Sequence, residues 1–578
     1  MPTSAPTSSL LSEVSTAELM RNTTAISQWI RLSAMPEEWA AADYVRDTLN
    51  TYGVATRVHE AEIRVSLPKS AAVSVVAPTG ATLTALTHSF ATSTPPGGLS
   101  AELVYVGRGM PSDYEGRDVR GKIVLVDGLA GPTVAWAAEQ AGAIGEIYIT
   151  GDNLHFMIVT TIWGTPTPET AWRMPKTPSA SIVGADGERL KALLAEGPVM
   201  VRLDTEVWTG WATAHMVEGR LDGVEEPDKF VLFSGHLDSW EYGAMDNGTA
   251  NATMLEVMRV LAQRQGELRR GVRVLFWSGH SHGRYAGSTW YVDHHWQELH
   301  DNCVAHVNID STGARGATAY DVIHAMSDVG GLAANVVTEI TGQPPTIERM
   351  GRNSDQSFWG LGIPAMYGML SRVPPEMTTP DQGALAALGI GGMPWWWHTV
   401  DDTVDKIDPA VLTLDTQVFL DTVYRLCTTP VLPFDYAAMA REMAAVAADL
   451  DAAAAGRFDL APLLAELDRL RLAAERLNHA AGQAVASDAA ALNKVLVQLG
   501  RLLIPLNYTE SGSYDQDLAV GMPPLPSLQG VRQLAALVPA SDDYRYLTTR
   551  LLRSRNQAVH RLRQANEAVA EYLATAAR

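Results

Sequence analysis

Cysteine is nearly absent from this sequence, which has two cysteines in 578 residues. Cys303 and Cys427 could form at most one bridge, so a disulfide framework of the kind found in small secreted domains is excluded. Charged residues make up only 19% of the chain and hydrophobic residues make up 46%. This balance excludes a disordered chain and is typical of packed globular protein, with a length that predicts about four domains.

Basic residues are also scarce, because 44 Lys and Arg stand against 65 Asp and Glu and give a net charge of −21. Such a chain repels phosphate backbones and anionic lipids, which argues against nucleic acid as a partner. No apolar run approaches the roughly eighteen residues of a membrane span, and the N-terminal MPTSAPTSSLLSEVSTAEL does not read as a signal peptide. We therefore expect a soluble, cytoplasmic protein without a membrane partner, although the sequence leaves open whether an export signal was removed before Met1.

Four segments of the chain differ in pattern. Residues 96–204 alternate strand and helix patterns and predict a small α/β or α+β unit, within which the proline-rich stretch 155–178 is predicted to be a loop or lid. Residues 205–432 alternate near-continuous apolar strands with helices, which predicts a mostly parallel sheet covered on both faces. Residues 433–578 have helical periodicity and predict a bundle. We assign residues 1–95 to the N-terminal part of the sheet domain.

Imidazole and carboxylate side chains occur where the predicted apolar strands end, which is where open α/β sheets place their sites. These residues are His236, Asp238, Asp246, Asp310 and His398. One such residue alone is more often a solvated loop residue or a helix cap, but five in order favour a site for a divalent cation. In an extended segment His236 and Asp238 share a face, so that the carboxylate can orient the imidazole. Asp246 has two oxygens and could bridge two cations.

The ordered motifs GHLDS, GAMDN, NIDSTG and WHTVDDT resemble those of the zinc aminopeptidase family, whose larger members include glutamate carboxypeptidase and the non-enzymatic transferrin receptor. The resemblance covers nearly the whole chain. It implies an α/β fold with a mixed sheet between helices. It also implies a β-rich protease-associated insert, carried by ELVYVG and DVRGKIVLV, and a C-terminal helical dimerisation domain, so we expect a homodimer.

The resemblance also implies roles for single residues. His236, Asp246, Asp310 and His398 match metal-ligand positions, and Asp246 matches the bridging one. Asp238 matches the acid that supports a histidine ligand. The expected cofactor is one or two divalent ions, zinc foremost, with manganese or iron as alternatives.

One motif departs from the family. After the strand VRVLFW the family has a Glu-Glu pair, the first as general base and the second as a metal ligand, whereas this chain reads SGHSHGRYAGS. Counting forward from the strand puts His280 and Ser281 on the pair. Counting back from the following Gly-Ser puts Ser281 and His282 there. No acidic residue fills either register.

The orientation of this loop decides which histidine meets the metal. If residues 279–283 are extended, as the bracketing glycines favour, His280 and His282 point the same way. A free imidazole titrates near neutral pH and could replace the missing base. We assign His280, with Asp238, to catalysis and His282 to the metal, while which of the three residues 280–282 faces the metal stays open.

The segment MGRNSDQSF matches a family loop near the substrate. We therefore predict that Arg352 and Asn353 contact a polar group of the substrate, and a solvated loop arginine is an equally good interpretation. Trp397 is predicted to wall an apolar pocket, with core packing as the alternative.

The sequence as a whole predicts a metal-dependent hydrolase of an amide or other C–N bond in a small molecule or short peptide. Because the Glu pair is missing, we expect it to differ from ordinary aminopeptidases. The alternatives are a non-hydrolytic metal enzyme, such as a lyase or cyclase, and a non-catalytic binding scaffold like the transferrin receptor.

Overall fold

The computed structural model describes residues 8–379, 385, 390–484 and 488–576. The strands in these residues form one extended mixed sheet. They are β1 (Ala55–Ala77), β2 (Thr82–Thr84), β3 (Leu86–Thr87), β4 (Leu99–Tyr105), β5 (Ile123–Asp127), β6 (Gly145–Ile149), β7 (Ser179–Ile182), β8 (Met200–Leu221), β9 (Glu226–His236), β10 (Arg270–Trp277), β11 (Cys303–Ile309), β12 (Val322–Ala325), β13 (Thr346–Arg349) and β14 (Ala365–Gly368).

The α-helices cover the sheet and form the C-terminal part of the chain. Those before residue 432 are Ser8–Leu11, Thr16–Ile26, Pro36–Thr51, Pro132–Ala141, Gly184–Glu196, Ala250–Gln263, Ala286–Asn302, Gly330–Thr341 and Pro409–Thr428. Those after it are Tyr436–Ala454, Ala461–Gln483, Ala489–Tyr508 and Asp542–Ala576.

The centre of the sheet is parallel, as the apolar strands predict. The order is β13-β12-β14-β11-β9-β10-β8, in which β14, β11, β9 and β10 run parallel to one another and β12 pairs antiparallel with β14. β8 pairs antiparallel with β10 and, along its length, with β1. The predicted mixed sheet between helices is therefore confirmed, and β10 and β11 of its parallel part are buried from end to end.

A long ribbon joins the central sheet to the unit at residues 96–204. β1 and β8 pair from Ala55 opposite Arg220 to Ala77 opposite Met200, and the far end of β8 also pairs with β4. From there β4, β5, β6 and β7 continue as a parallel sheet with β3 at its edge. This unit has the strand and helix alternation that the sequence indicates, and its identity as a protease-associated domain stays a prediction.

The C-terminal helices share a core with the central sheet. Val231 and Phe233 of β9 belong to the same buried apolar cluster as Leu470 and Leu499 of the bundle. Among the described helices, Ala489–Tyr508 is long and apolar enough to span a membrane by length and composition, with a mean hydropathy of 1.3. The sequence analysis did not single it out. Since 61% of that apolar window is buried in the fold, the helix has the character of a core helix.

Glu146, on β6, makes the stability of this fold depend on pH. Its side chain is fully buried, one carboxyl oxygen has no hydrogen-bond partner, and burial raises its pKa from 4.5 to about 8 despite a hydrogen bond from Thr177. Between these pH values the folded chain keeps a proton that the unfolded chain has released, so the free energy of unfolding falls as the pH rises. Glutamine cannot ionise at this position. We therefore expect the free energy of unfolding of Glu146→Gln to fall less with rising pH than that of the native protein, with a difference of the order of a few kcal/mol.

The measurement is thermal unfolding of the native protein and of Glu146→Gln at pH 5 and pH 8. Glu188→Gln is the matched control, because its side chain is 71% exposed and pairs only at the surface with Lys191. An equally steep decline in Glu146→Gln and in the native protein would show that Glu146 is not the source.

Candidate active site and metal centre

The carboxyl ends of three parallel strands lie side by side. Trp277, at the end of β10, is level with His236 at the end of β9. Asn308 of β11 is level with Ser234 of β9, so Asp310 follows at the height of His236. The register of the sheet therefore brings residues 74 positions apart in sequence to one edge, where open α/β sheets bind their ligands.

His236, Asp246 and Asp310 face one another at this edge. Nε2 of His236 lies 3.1 Å from Oδ1 of Asp246 and 3.5 Å from Oδ1 of Asp310. Nδ1 of His236 donates to the backbone carbonyl of Asp238 at 2.8 Å, which leaves the lone pair on Nε2. Nε2 is buried and has no hydrogen-bond partner in the described part of the chain. Three electron-pair donors in such contact fit a bound cation, and imidazole with carboxylates suits a divalent metal.

The pKa values at this edge report an excess of negative charge. Burial alone lowers the pKa of His236, but the carboxylates of Asp310 and Asp246 outweigh it and raise that pKa well above its ordinary value. Burial alone raises the pKa of Asp246, but His236 and His398 outweigh it and hold the pKa far below its ordinary value. Both shifts indicate a place where positive charge is stabilised.

Asp246 spans two imidazoles. Its Oδ1 faces His236, and its Oδ2 lies 3.1 Å from Nε2 of His398. The backbone N–H groups of Met245 and Asp246 donate to the Asp402 carboxylate, each at 2.9 Å, and so fix the turn that presents Asp246. Each carboxylate oxygen of Asp246 thus faces one imidazole, and the bridging role that the family resemblance implies stays a prediction.

His398 is held from three sides. Its Nδ1 donates to the carbonyl oxygen of Phe156 at 2.7 Å, in the proline-rich stretch predicted to be a loop. The ring of Trp397 stacks on it with centroids 3.6 Å apart. Trp240 donates its indole N–H to Nε2 of His398 at 3.2 Å. The lone pair that would bind a cation beside Asp246 is thus already engaged by Trp240.

The loop of His280 and His282 is not extended, which corrects our expectation. Residues 278–285 form bends and turns. Gly279 has φ +77°, and a Cβ on Gly283 would lie 2.7 Å from the Gly279 carbonyl oxygen, so the chain folds back tightly on itself. Helix-breaking glycines here produce a turn instead of a strand, and the two imidazoles point in different directions.

His280 faces the cation site. Its ring stacks on that of His236 with centroids 3.8 Å apart, and each of His236, His280 and Asp310 offers a ligand atom within 4.8 Å of the others. Nδ1 of His280 donates to Oδ2 of the buried Asp355 at 2.9 Å, which leaves the Nε2 lone pair for the site. The other Asp355 oxygen accepts from the hydroxyl of Ser288 at 2.8 Å. A carboxylate therefore orients His280 as it does in catalytic and metal-binding histidines.

His282 lies behind His280 and the other residues of the cation site. It is buried, its Nδ1 is 2.9 Å from the hydroxyl of Ser33, and its ring packs against Trp240. Burial lowers the pKa of His282 to about 4, so it is neutral at physiological pH. His280 thus takes the position beside the metal-binding atoms that the sequence analysis gave to His282.

Asp238 holds the loop through its carboxylate. Its Oδ2 accepts from the hydroxyl of Ser33 at 2.6 Å and from the backbone N–H of Ser281 at 2.8 Å. Nδ1 of His236 lies 3.8 Å from the Asp238 carboxylate and bonds to the Asp238 backbone carbonyl instead. Asp238 therefore orients His236 through its main chain, a route that side-chain spacing cannot reveal.

The residues predicted to contact substrate separate in the structure. Arg352 is buried, packs over the ring of Trp163 at 4.0 Å and donates to the carbonyls of residues 517–518. Asn353 and Trp397 do line the cavity beside the site, whereas Arg352 does not. Asn353, which is neutral, therefore lines the cavity where the sequence analysis predicted the guanidinium of Arg352.

Sequence reasoning missed three residues that shape the site. Asp355 lies within MGRNSDQSF, Trp240 directly follows GHLDS, and Asp402 lies within WHTVDDT. None of the three was assigned a role from its sequence. Each acts on a partner at least 40 positions away, so no local spacing signals it.

A cavity of about 340 Å³ opens over these groups, within the size range of small-molecule sites. Its polar floor is the cation site. Its walls are mostly apolar and come in large part from the unit at residues 96–204; they include Leu129, Val134, Met157, Ile158 and Met393.

Part of this chain is similar in sequence to known peptidases. Residues 217–423 match peptidase family M28. The probable glutamate carboxypeptidase VP8 of Zea mays is 25% identical over 516 residues, which is 74% of this chain and 69% of that protein. Carboxypeptidase Q of Xenopus laevis is 25% identical over 228 residues, 37% of this chain and 47% of that protein.

Solved structures share the fold. A peptidase M28 precursor from Shewanella amazonensis has a TM-score of 0.58 at 20% identity, covering 73% of this chain and 96% of its own. A zinc aminopeptidase from Bacillus subtilis has a TM-score of 0.53 at 21% identity, covering 72% and 94%. The family match over residues 217–423, the relatives and the solved structures support a zinc aminopeptidase-like family for this chain and a divalent-metal-dependent peptide hydrolase as its reaction class.

Proposed function

We propose that this protein is a metal-dependent hydrolase that cleaves an amide or other C–N bond in a small molecule or short peptide, with a histidine in place of the family's Glu pair. One observation carries the proposal. The buried, unpartnered Nε2 of His236 faces two carboxylates beneath a cavity of ligand size. The peptidase relatives support hydrolysis as the reaction class.

His236, Asp246 and Asp310 would hold the cation, with His280 beside them. One nitrogen and several carboxylate oxygens suit zinc, and manganese or iron accept the same set. When bound, the cation supplies Lewis-acid polarisation of a carbonyl and lowers the pKa of water. The sheet edge and the turn at Asp402 keep the ligands in place without substrate.

We propose one cation per chain. The second position implied by the resemblance consists of Asp246, His398 and a Glu that this chain lacks. In this chain the indole N–H of Trp240 donates to Nε2 of His398, and residues 278–285 contain no acid. A second cation would have to displace a buried hydrogen bond and would find one ligand fewer.

His280 would act as general base and then as general acid. Asp355 fixes its tautomer, so that Nε2 can take a proton from water and return it to the leaving amine. The buried Asp355 carboxylate stabilises the imidazolium formed between these steps. An imidazole and a carboxylate that lie 75 positions apart in sequence could therefore act as general base and general acid in place of the family's Glu.

The missing acidic base is the specific observation that favours the second candidate, a non-hydrolytic lyase or cyclase at the same cation. A non-catalytic scaffold would not need the Asp355–His280 pair.

The homodimer through residues 433–578 and the cytoplasmic location stay predictions.

Metal titration tests the proposal. Chelator-treated protein is expected to take up about one zinc ion per chain, measured by calorimetry and elemental analysis, and to gain thermal stability as it does so. The loaded protein is then assayed for amine release from amides, dipeptides and N-acyl amino acids. His294→Ala, on the surface of the Ala286–Asn302 helix, is the matched control and should behave as the native protein.

Two outcomes would contradict the proposal in different ways. Uptake of two ions per chain would refute the single cation. One bound ion with no amine release from any compound, but with release of another product, would replace the hydrolase by the lyase or cyclase.

A further inference from the structure

We propose that Arg284 forms an anion subsite in the cavity and binds a carboxylate group of the substrate. This inference rests on the proposed function, which defines the substrate. Binding of the carboxylate to Arg284 does not itself depend on turnover. No motif assigned Arg284 a role.

Arg284 is a buried cation without an acidic partner. It is 9% exposed and lines the cavity. Its Nη2 donates to the backbone carbonyl of Ala519 at 3.2 Å, and its Nε is buried without a hydrogen-bond partner. Among the described residues no carboxylate lies within ion-pair distance of it. Since a buried charge is costly unless it is paired, the structure leaves a place for an anion at this side chain.

One neighbour of Arg284 is also a cation. Arg352 is a second buried guanidinium close enough for the two charges to repel each other. The acid that acts on Arg352 is Asp517, whose oxygens accept from the backbone N–H groups of Glu510 and Ser511. Among the described residues Asp517 forms no ion pair with Arg284, so it does not take the place of an anion at this side chain.

The acids of the cavity do not compete for Arg284. Asp246 and Asp310 belong to the cation site. Asp127 pairs with Lys191 at 2.7 Å. A carboxylate entering the cavity would thus meet Arg284 without displacing an existing ion pair.

The backbone holds Arg284 in a conformation that local energetics disfavour. Arg284 has φ +49° and Tyr285 has φ +72°, a region that non-glycine residues rarely adopt. The Arg284 carbonyl accepts from the N–H of Gly164 at 2.6 Å, and Ala286 N–H donates to Gly279 at 3.0 Å, which fixes both ends of the turn. Such strain persists where tertiary contacts impose it, and it is concentrated at functional sites.

The ligand class follows from these contacts. The cavity offers a cation site, a guanidinium and apolar walls. A short peptide or N-acyl amino acid with an apolar side chain and a free carboxylate matches all three. Because the chain carries a net charge of −21, its long-range field repels such an anion, and a local cation is needed to hold it.

The test compares the dipeptide leucyl-phenylalanine with its C-terminal amide, by calorimetry on chelator-treated protein, where no turnover occurs. We expect the native protein to bind the dipeptide about tenfold more tightly than the amide, as a charge-assisted bond implies. In Arg284→Gln the two affinities should agree within about twofold, and Arg284→Lys should keep part of the preference. Arg189→Gln, at a surface arginine with a 66% exposed side chain, is the control and should keep the full ratio.

Equal binding of the two compounds by the native protein, or no binding of the dipeptide at millimolar concentration, would overturn the proposal. So would an unchanged ratio in Arg284→Gln. If that variant fails to fold by circular dichroism, Arg284→Lys decides: a reduced ratio supports the subsite and an unchanged one refutes it. The hydrolase proposal can fail independently of this subsite. In that case the zinc-loaded protein releases no amine, but it still binds the dipeptide more tightly than the amide.

Discussion

Asp246→Asn is expected to lower zinc affinity by roughly 10²–10³-fold and turnover at least as much. The substitution keeps the shape of the side chain but removes the charge that faces His236 and His398, at 3.1 Å each. Removing one partner of a buried ionic contact costs about 3–5 kcal/mol, and the lower part of that range, about 3–4 kcal/mol, corresponds to this loss of affinity. The measurements are zinc titration by calorimetry and amine release at saturating zinc.

Asp405→Asn is the matched control, because its side chain is 70% exposed and pairs with Lys406 next to it. It should leave both quantities unchanged. Native zinc affinity in Asp246→Asn would show that the cation does not lie between the residues named here.

His280→Ala is expected to lower kcat by about 10²–10⁴-fold while zinc binding changes much less. The reason is the loss of the imidazole that Asp355 orients toward the site at 2.9 Å. Asp355→Asn keeps the imidazole but loses the charge behind it, and its expected loss of kcat is about 10–100-fold. Steady-state kinetics and zinc titration on the same preparations separate the two effects.

Here His294→Ala serves as the control, since this histidine bonds only within its own exposed helix turn. Loss of zinc from His280→Ala in proportion to the loss of kcat would make His280 a metal ligand and not the base. Native kcat in that variant would exclude it from the reaction.

The sequence predicts the cation-binding edge well because the information is local to each strand. An apolar run ending in His236 and another ending in Asp310 become neighbours once the strands pair in parallel, and the register then sets the height of both side chains. Asp246 and His398 lie near this edge by their order in the sequence, and the resemblance assigns both of them to the metal.

The turn at residues 278–285 shows what the pattern could not predict. Its direction depends on positive φ angles at Gly279, Arg284 and Tyr285, and two of these residues are types for which such angles are rare. The partner of His280 lies at Asp355, in a different loop. Residue type and spacing contain neither the angles nor the long-range contact, so the sequence alone could not decide between the two histidines.

The paired strands β1 and β8 have a consequence for how substrate reaches the cation. They pair, with register shifts between Pro68 and Ser70 and between Val75 and Ala77, from the sheet that carries His236 to the unit that supplies Leu129 and Val134 to the cavity walls. Lifting that unit as a separate flap would break backbone hydrogen bonds or bend the ribbon at these shifts, so the pairing restrains the clearance above the floor. Selection of substrates by molecular size would then depend on how far this ribbon bends.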